Sequence, residues 1–149
     1  MNPPVDARRI YQDSLSQGAT PLECVILLYD RAIQDLRRAL VAMQVGDIER
    51  RAAEVGHALL VLQQLQGTLD FERGGAAARK FEQFYNLVRA KLLEGQMRGS
   101  PELLREQARY LAEVRDCWAQ AKRVLEPQLR AAAPKPANPE TSSGGNWSA

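Results

Sequence analysis

The chain has 149 residues, 45% of them hydrophobic and 26% charged, which suits one soluble domain with its own core. Twenty Lys and Arg stand against 18 Asp and Glu, a formal net charge of +2, too near balance for binding that rests on neutralising many phosphates, so no nucleic-acid partner is expected. Two cysteines, Cys24 and Cys117, supply neither a disulfide scaffold nor a four-ligand zinc site, and nothing in the composition calls for a metal or a cofactor.

In chain order, Met1 to Arg9 carries Pro3 and Pro4 among charged residues and lacks the basic segment and apolar run of a secretory leader. No apolar stretch approaches the roughly 20 residues that cross a bilayer, so a cytoplasmic protein without membrane insertion is expected. Residues 1–19 read as an N-terminal arm, in which Ile10, Tyr11 and Leu15 form an apolar edge too small to fold alone. A first long helix starts at Thr20-Pro21, with Glu23 completing a capping box, and its stripe runs from Leu22 through Tyr29, Ile33 and Leu36 to Met43 before Gly46 stops it. Asp47 caps a second helix with Ile48, Val55, Leu62 and Leu69 on one stripe. Because Leu60 and Val61 fall off that stripe, its second half is apolar around most of its circumference.

Arg73-Gly74-Gly75 marks the end of that hairpin, and a third helix follows with Phe81, Tyr85, Val88 and Leu92 on one face, running out near Gly95 and Gly99. Ser100-Pro101-Glu102 repeats the cap-then-proline start, and a fourth helix carries Leu104, Leu111, Val114 and Trp118 until it ends near Pro127. From residue 131 to 149 the chain is Ala, Pro, Ser, Gly and Asn, short of apolar content, and a disordered tail is expected. Short connections favour antiparallel neighbours. The expected fold is therefore all-α: an antiparallel up-down four-helix bundle over residues 20–130, with a short N-terminal helix or arm.

Enzyme signatures are missing: there is no Gly-rich phosphate loop, HExxH, GxSxG or CxxC, so no catalytic residue is assigned. The single histidine, His57, falls near the edge of the polar side of the second helix. Its one chemical reading is a phosphotransfer histidine, but His57-Ala58-Leu59-Leu60-Val61 lacks the lysine and glycine of a phosphate-accepting run. Carboxylates are scattered and no Glu-x-x-His pair appears, so no metal site is expected. The pairs Arg37-Arg38, Arg50-Arg51 and Arg79-Lys80, interleaved with acids, read as solvated faces.

What exceeds the needs of one core is apolar surface. Leu27 lies opposite the main face of the first long helix, Leu60 and Val61 lie off the stripe of the second, and Leu93 and Met97 do so on the third. Together with Leu28 these are candidates for a groove that receives an amphipathic helix of another chain, with Ile10, Tyr11 and Leu15 as its displaceable cover. Tyr29, Tyr85 and Trp118 read as core or supporting residues.

Several of these residues carry a resemblance to a known family. Tyr11, Ala19-Thr20-Pro21-Leu22-Glu23, Leu27-Leu28-Tyr29-Asp30-Arg31-Ala32-Ile33, Gly46-Asp47, Leu69-Asp70 with Gly74-Gly75, Phe84-Tyr85 with Leu92-Leu93, and Arg115-Asp116-Cys117-Trp118 together resemble the FliS family of flagellar secretion chaperones, over roughly residues 10–124. The resemblance implies a cytoplasmic export chaperone that catalyses no reaction. Such a protein binds the C-terminal region of flagellin one to one, prevents premature polymerisation and delivers flagellin to the export apparatus. It further implies that the partner replaces the N-terminal segment in the groove, and that a component of the export gate is a second partner. The alternatives are a phosphotransfer bundle built on His57 and a generic helix-binding adaptor.

Overall fold

The computed structural model describes residues 7–132, apart from the side chains of residues 126 and 128–132. Five helices follow one another: α1 Ala7–Ser16, α2 Pro21–Gln44, α3 Ile48–Gly67, α4 Phe71–Arg98 and α5 Pro101–Ala132. Among the described residues there is no strand. The arm ahead of Thr20 is thus a helix of its own. The tail expected from residue 131 lies outside the described residues except for Ala131 and Ala132, the last two of α5.

Local chemistry sets the helix starts. Thr20 accepts the backbone N–H of Glu23 at 3.2 Å with Pro21 in the first turn, and Asp47 accepts that of Arg50 at 3.0 Å. The Ser100 hydroxyl accepts the N–H of Leu103 at 3.3 Å ahead of α5. Asp70 holds the N–H groups of Glu72 and Arg73, each at 3.1 Å, so α4 begins at Phe71, before the glycine pair that the sequence pattern reads as a boundary. Gly75, at φ 50° and ψ −123°, is instead a kink inside α4, a conformation open to glycine and costly for other residues. The other end of α4 also differs from expectation. It continues through Gly95 to Arg98 and stops at Gly99, whose left-handed conformation closes the helix. Likewise α5 passes through Pro127, since a proline removes one backbone bond without forbidding helical dihedrals.

The four long helices touch in a closed circuit, α2 with α3, α3 with α4, α4 with α5 and α5 with α2, while α1 touches only α2 and α3. Cross-helix pairs fix the directions. Gln66 meets Asn86 and Arg51 meets Gln96, Asp30 meets Arg115 and Glu23 meets Lys122, so numbering rises along one helix as it falls along its neighbour. Gly95 is buried where α4 crosses α5; a Cβ there would lie 2.5 Å from Leu104 Cδ1 and 3.2 Å from Leu103 Cβ. Inside the circuit Leu28, Tyr29, Leu36, Leu62, Leu65 and Leu92 have no exposed surface. The Tyr29 and Tyr85 hydroxyls meet at 2.7 Å across that interior, and Phe81 stacks between Tyr85 and Trp118.

Candidate functional site

The site begins with α1, whose Ala7, Tyr11 and Ser14 recur at steps of four and three and so share a face. Ala7 is buried, Ile10 and Tyr11 are half-buried and Leu15 is 37% exposed, so the contact weakens along the helix. Ala7 and Arg8 border a cleft with Leu60, Gln63 and Gln64 of α3, and Ile10 borders another with Leu27, Asp30, Arg31 and Gln34 of α2. The helix therefore straddles the outer seam of the α2–α3 pair, with an open cleft of about 310 to 330 Å³ along each flank. Leu27 and Leu60, 44% and 49% exposed, stand on the two rims. Beneath α1, burial raises the Tyr11 phenol and the Cys24 thiol, and the nearness of Cys24 raises Tyr11 further.

Of the nine residues singled out for partner binding, four meet at this seat: Ile10 and Tyr11 on α1, with Leu27 and Leu60 on its rims, while Leu15 is on α1 but exposed. Leu28 and Val61 do not line an open groove. One residue on from Leu27 and Leu60, they turn about 100° toward the interior, where both have no exposed surface and join the core cluster. Leu93 and Met97 are open, 50% and 86% exposed, but they belong to α4, which has no contact with α1. Neighbouring Gln96 accepts a hydrogen bond from Arg51 of α3 at 3.0 Å, which places this apolar pair beside the α3–α4 seam. Sequence reasoning missed Gln34, Gln63 and Gln64 at the clefts and the fully buried Cys24 near Tyr11, because polar or small residues leave no periodic signal.

His57 is also placed differently from expectation. It is 7% exposed, and its Nδ1 lies 2.5 Å from Asp35 Oδ2. Arg31 Nε is 3.4 Å from the other carboxylate oxygen of Asp35. Burial pushes the Asp35 carboxyl up, against the opposing pull of His57 and then Arg31. A ring so enclosed, with Nδ1 held by a carboxylate, is not offered to a phosphoryl donor.

Motif residues far apart in sequence meet in space. Asp30 of the Leu-Tyr-Asp run accepts Arg115 Nε at 2.8 Å, tying α2 to α5, while Tyr29 pairs with Tyr85. Tyr29, Tyr85 and Trp118 are thus interior or half-buried, as their stripes imply. No helix among the described residues is long and apolar enough to cross a membrane, and those residues contain no group of three or more His, Cys, Asp or Glu that could hold a metal ion.

The family model of the flagellar protein FliS matches residues 4–124. The chain is similar to the flagellar secretion chaperone FliS of Vibrio cholerae, 26% identical over 113 residues, covering 76% of this chain and 83% of that protein. It is similar to FliS of Bacillus subtilis, at 27% over 111 residues, covering 74% and 82%. The flagellar secretion chaperone FliSB of Pseudomonas aeruginosa is 30% identical over 100 residues, covering 67% of this chain and 79% of its own length.

Proposed function

The chain belongs to the FliS family of flagellar secretion chaperones, and from that premise we propose that it is a cytoplasmic export chaperone for flagellin. In this reading an antiparallel four-helix bundle binds the C-terminal region of flagellin stoichiometrically and without catalysis. Binding keeps flagellin from polymerising early and presents it to the export apparatus, whose gate is a second partner. One observation supports the mechanism most: α1 sits on the α2–α3 seam by one buried and two half-buried apolar residues, between the exposed Leu27 and Leu60. A helix held so lightly is displaced by a segment offering larger apolar side chains to the same rims. A disordered segment that folds as it binds covers a large surface while its ordering cost keeps the complex releasable.

The test is a pull-down with flagellin and with flagellin lacking its C-terminal region. Retention of the intact form and loss of the truncated one is the expected result. Failure to retain intact flagellin, or equal retention of both forms, overturns the reading. A generic adaptor would retain neither, and the enclosed ring of His57 leaves the phosphotransfer alternative without a donor-accessible acceptor.

A further inference from the structure

The seam that seats α1 does not end where α1 ends. Residues seven apart on a helix lie two turns along the same stripe. On α2 the stripes that pass Gln34 and Arg31 beside α1 continue to Val41, Arg38 and Val45. On α3 the stripe of Gln64 continues through His57 to Arg50. At that hairpin end a second stretch of the seam is open, a cleft of about 360 Å³ lined by Arg37, Arg38, Val41, Val45 and Arg50. By length, α1 spans about 15 Å and α2 about 36 Å, so room for up to about 14 helical residues remains.

Two features distinguish this stretch from an ordinary solvated face. Its floor is apolar and exposed, with Val41 at 59% and Val45 at 74%, and Ile48 at 64% is close by in sequence. Its rim is basic and uncompensated. Among the described residues, the side chains of Arg37, Arg38 and Arg50 have no ion-pair or hydrogen-bond partner, whereas neighbouring Arg51 is bound to Gln96. Asp47, the one carboxylate among the described residues that line the cleft, is engaged as the cap of α3. Three unpaired guanidinium groups around two valines fit a helix that presents an aliphatic side chain flanked by carboxylates. They fit a nucleic-acid strand less well, because no aromatic ring on which a base could stack lines the cleft among the described residues.

We propose that the hairpin end of the α2–α3 seam is a subsite for an acidic amphipathic helical segment of the exported partner, bound in line with the segment that displaces α1. This rests on the export-chaperone reading for the identity of the partner, and on the cleft alone for its chemistry. The experiment uses the full chain, the triple variant Arg37→Glu/Arg38→Glu/Arg50→Glu and the matching Arg→Lys triple. The probes are the C-terminal fragment of flagellin from the same organism, and an amphipathic peptide of about 14 residues made with Glu or with Lys beside its leucines.

The wild-type chain should prefer the Glu peptide to the Lys peptide by at least about tenfold at low salt, and the Glu triple should reverse that order. Its affinity for the fragment should fall about tenfold with a flatter salt dependence, while the Lys triple keeps most of the binding. If the Glu triple binds the fragment as the wild type does while Leu27→Asp weakens it, the subsite is wrong and the chaperone reading stands. If the wild type does not bind the fragment, the chaperone reading falls and the peptide arm alone decides the cleft. Equal binding of the two peptides, or tighter binding of a single-stranded oligonucleotide than of the Glu peptide, overturns the proposal.

Discussion

The interior of the helix circuit and the seat of α1 are built from the same residue types and differ in how completely they close. Leu28, Leu36 and Leu62 are wholly enclosed by neighbours on several helices, and the Tyr29–Tyr85 hydroxyl pair is satisfied inside. On α1, by contrast, Ala7 is buried while Leu15 remains 37% exposed. An apolar stripe therefore becomes core where four helices surround it, and a partly open contact where two helices meet a single short third.

The largest expected effect tests which side of that division Leu28 belongs to. Leu28→Ala should lower global stability by about 3 kcal/mol, within the range for a fully enclosed leucine, read as the shift of a urea midpoint. A change below about 1 kcal/mol accompanied by lost partner binding would return Leu28 to the groove and break the comparison.

Next in size is an alkaline effect confined to the interior. Burial raises both the Tyr29 and Tyr85 phenols above the ordinary value of 10.0. Since the folded-state values are raised, the unfolded chain loses these protons first. The stability the two tyrosines contribute is intact below pH 10 and declines above it, by up to about 1.4 kcal/mol per pH unit for each. Urea midpoints measured from pH 9 to 11 should show the decline. Tyr85→Phe should roughly halve its slope and cost about 1–2 kcal/mol at neutral pH, because Tyr29 loses its hydroxyl partner.

Smaller still is the effect expected at the seat. Tyr11→Ala should cost about 1 kcal/mol or less by denaturant, because α1 opens locally without the circuit. Hydrogen exchange should show lost protection in Ala7–Ser16 and unchanged protection in α3. A global loss of about 3 kcal/mol would make α1 part of the core. The smallest change in stability, within about 0.5 kcal/mol, is expected for Leu60→Asp on the exposed rim, although partner retention should drop. Retention equal to that of the wild type would remove this rim from the binding surface.

Much of the fold was legible because its signals are local. Thr20-Pro21, Asp47 and Ser100-Pro101 each announce a helix start by side-chain chemistry within three residues, and the stripes of α2 and α5 follow. The Gly74-Gly75 pair was misleading for the same reason: glycine records a conformational freedom, and Asp70 four residues earlier decides where the helix begins. Leu27 and Leu60 were recognisable as surplus to the core. Leu28 and Val61, each one residue further on, were not separable from them, since a rotation of about 100° lies within the uncertainty of where a neighbouring helix sits.

By itself the sequence determined that this chain is helical, where most of its helices start, and that it carries more apolar surface than one stripe per helix requires. Only the tertiary structure decided how that surface is divided. Val61 went to the core and Leu60 to a rim, Met97 was left at another seam, His57 was drawn inward against Asp35, and Arg37, Arg38 and Arg50 were left without carboxylate partners among the described residues. The physical reason is range: caps and periodicity act over three or four residues, whereas burial and charge pairing depend on which helix, distant in sequence, comes to lie alongside.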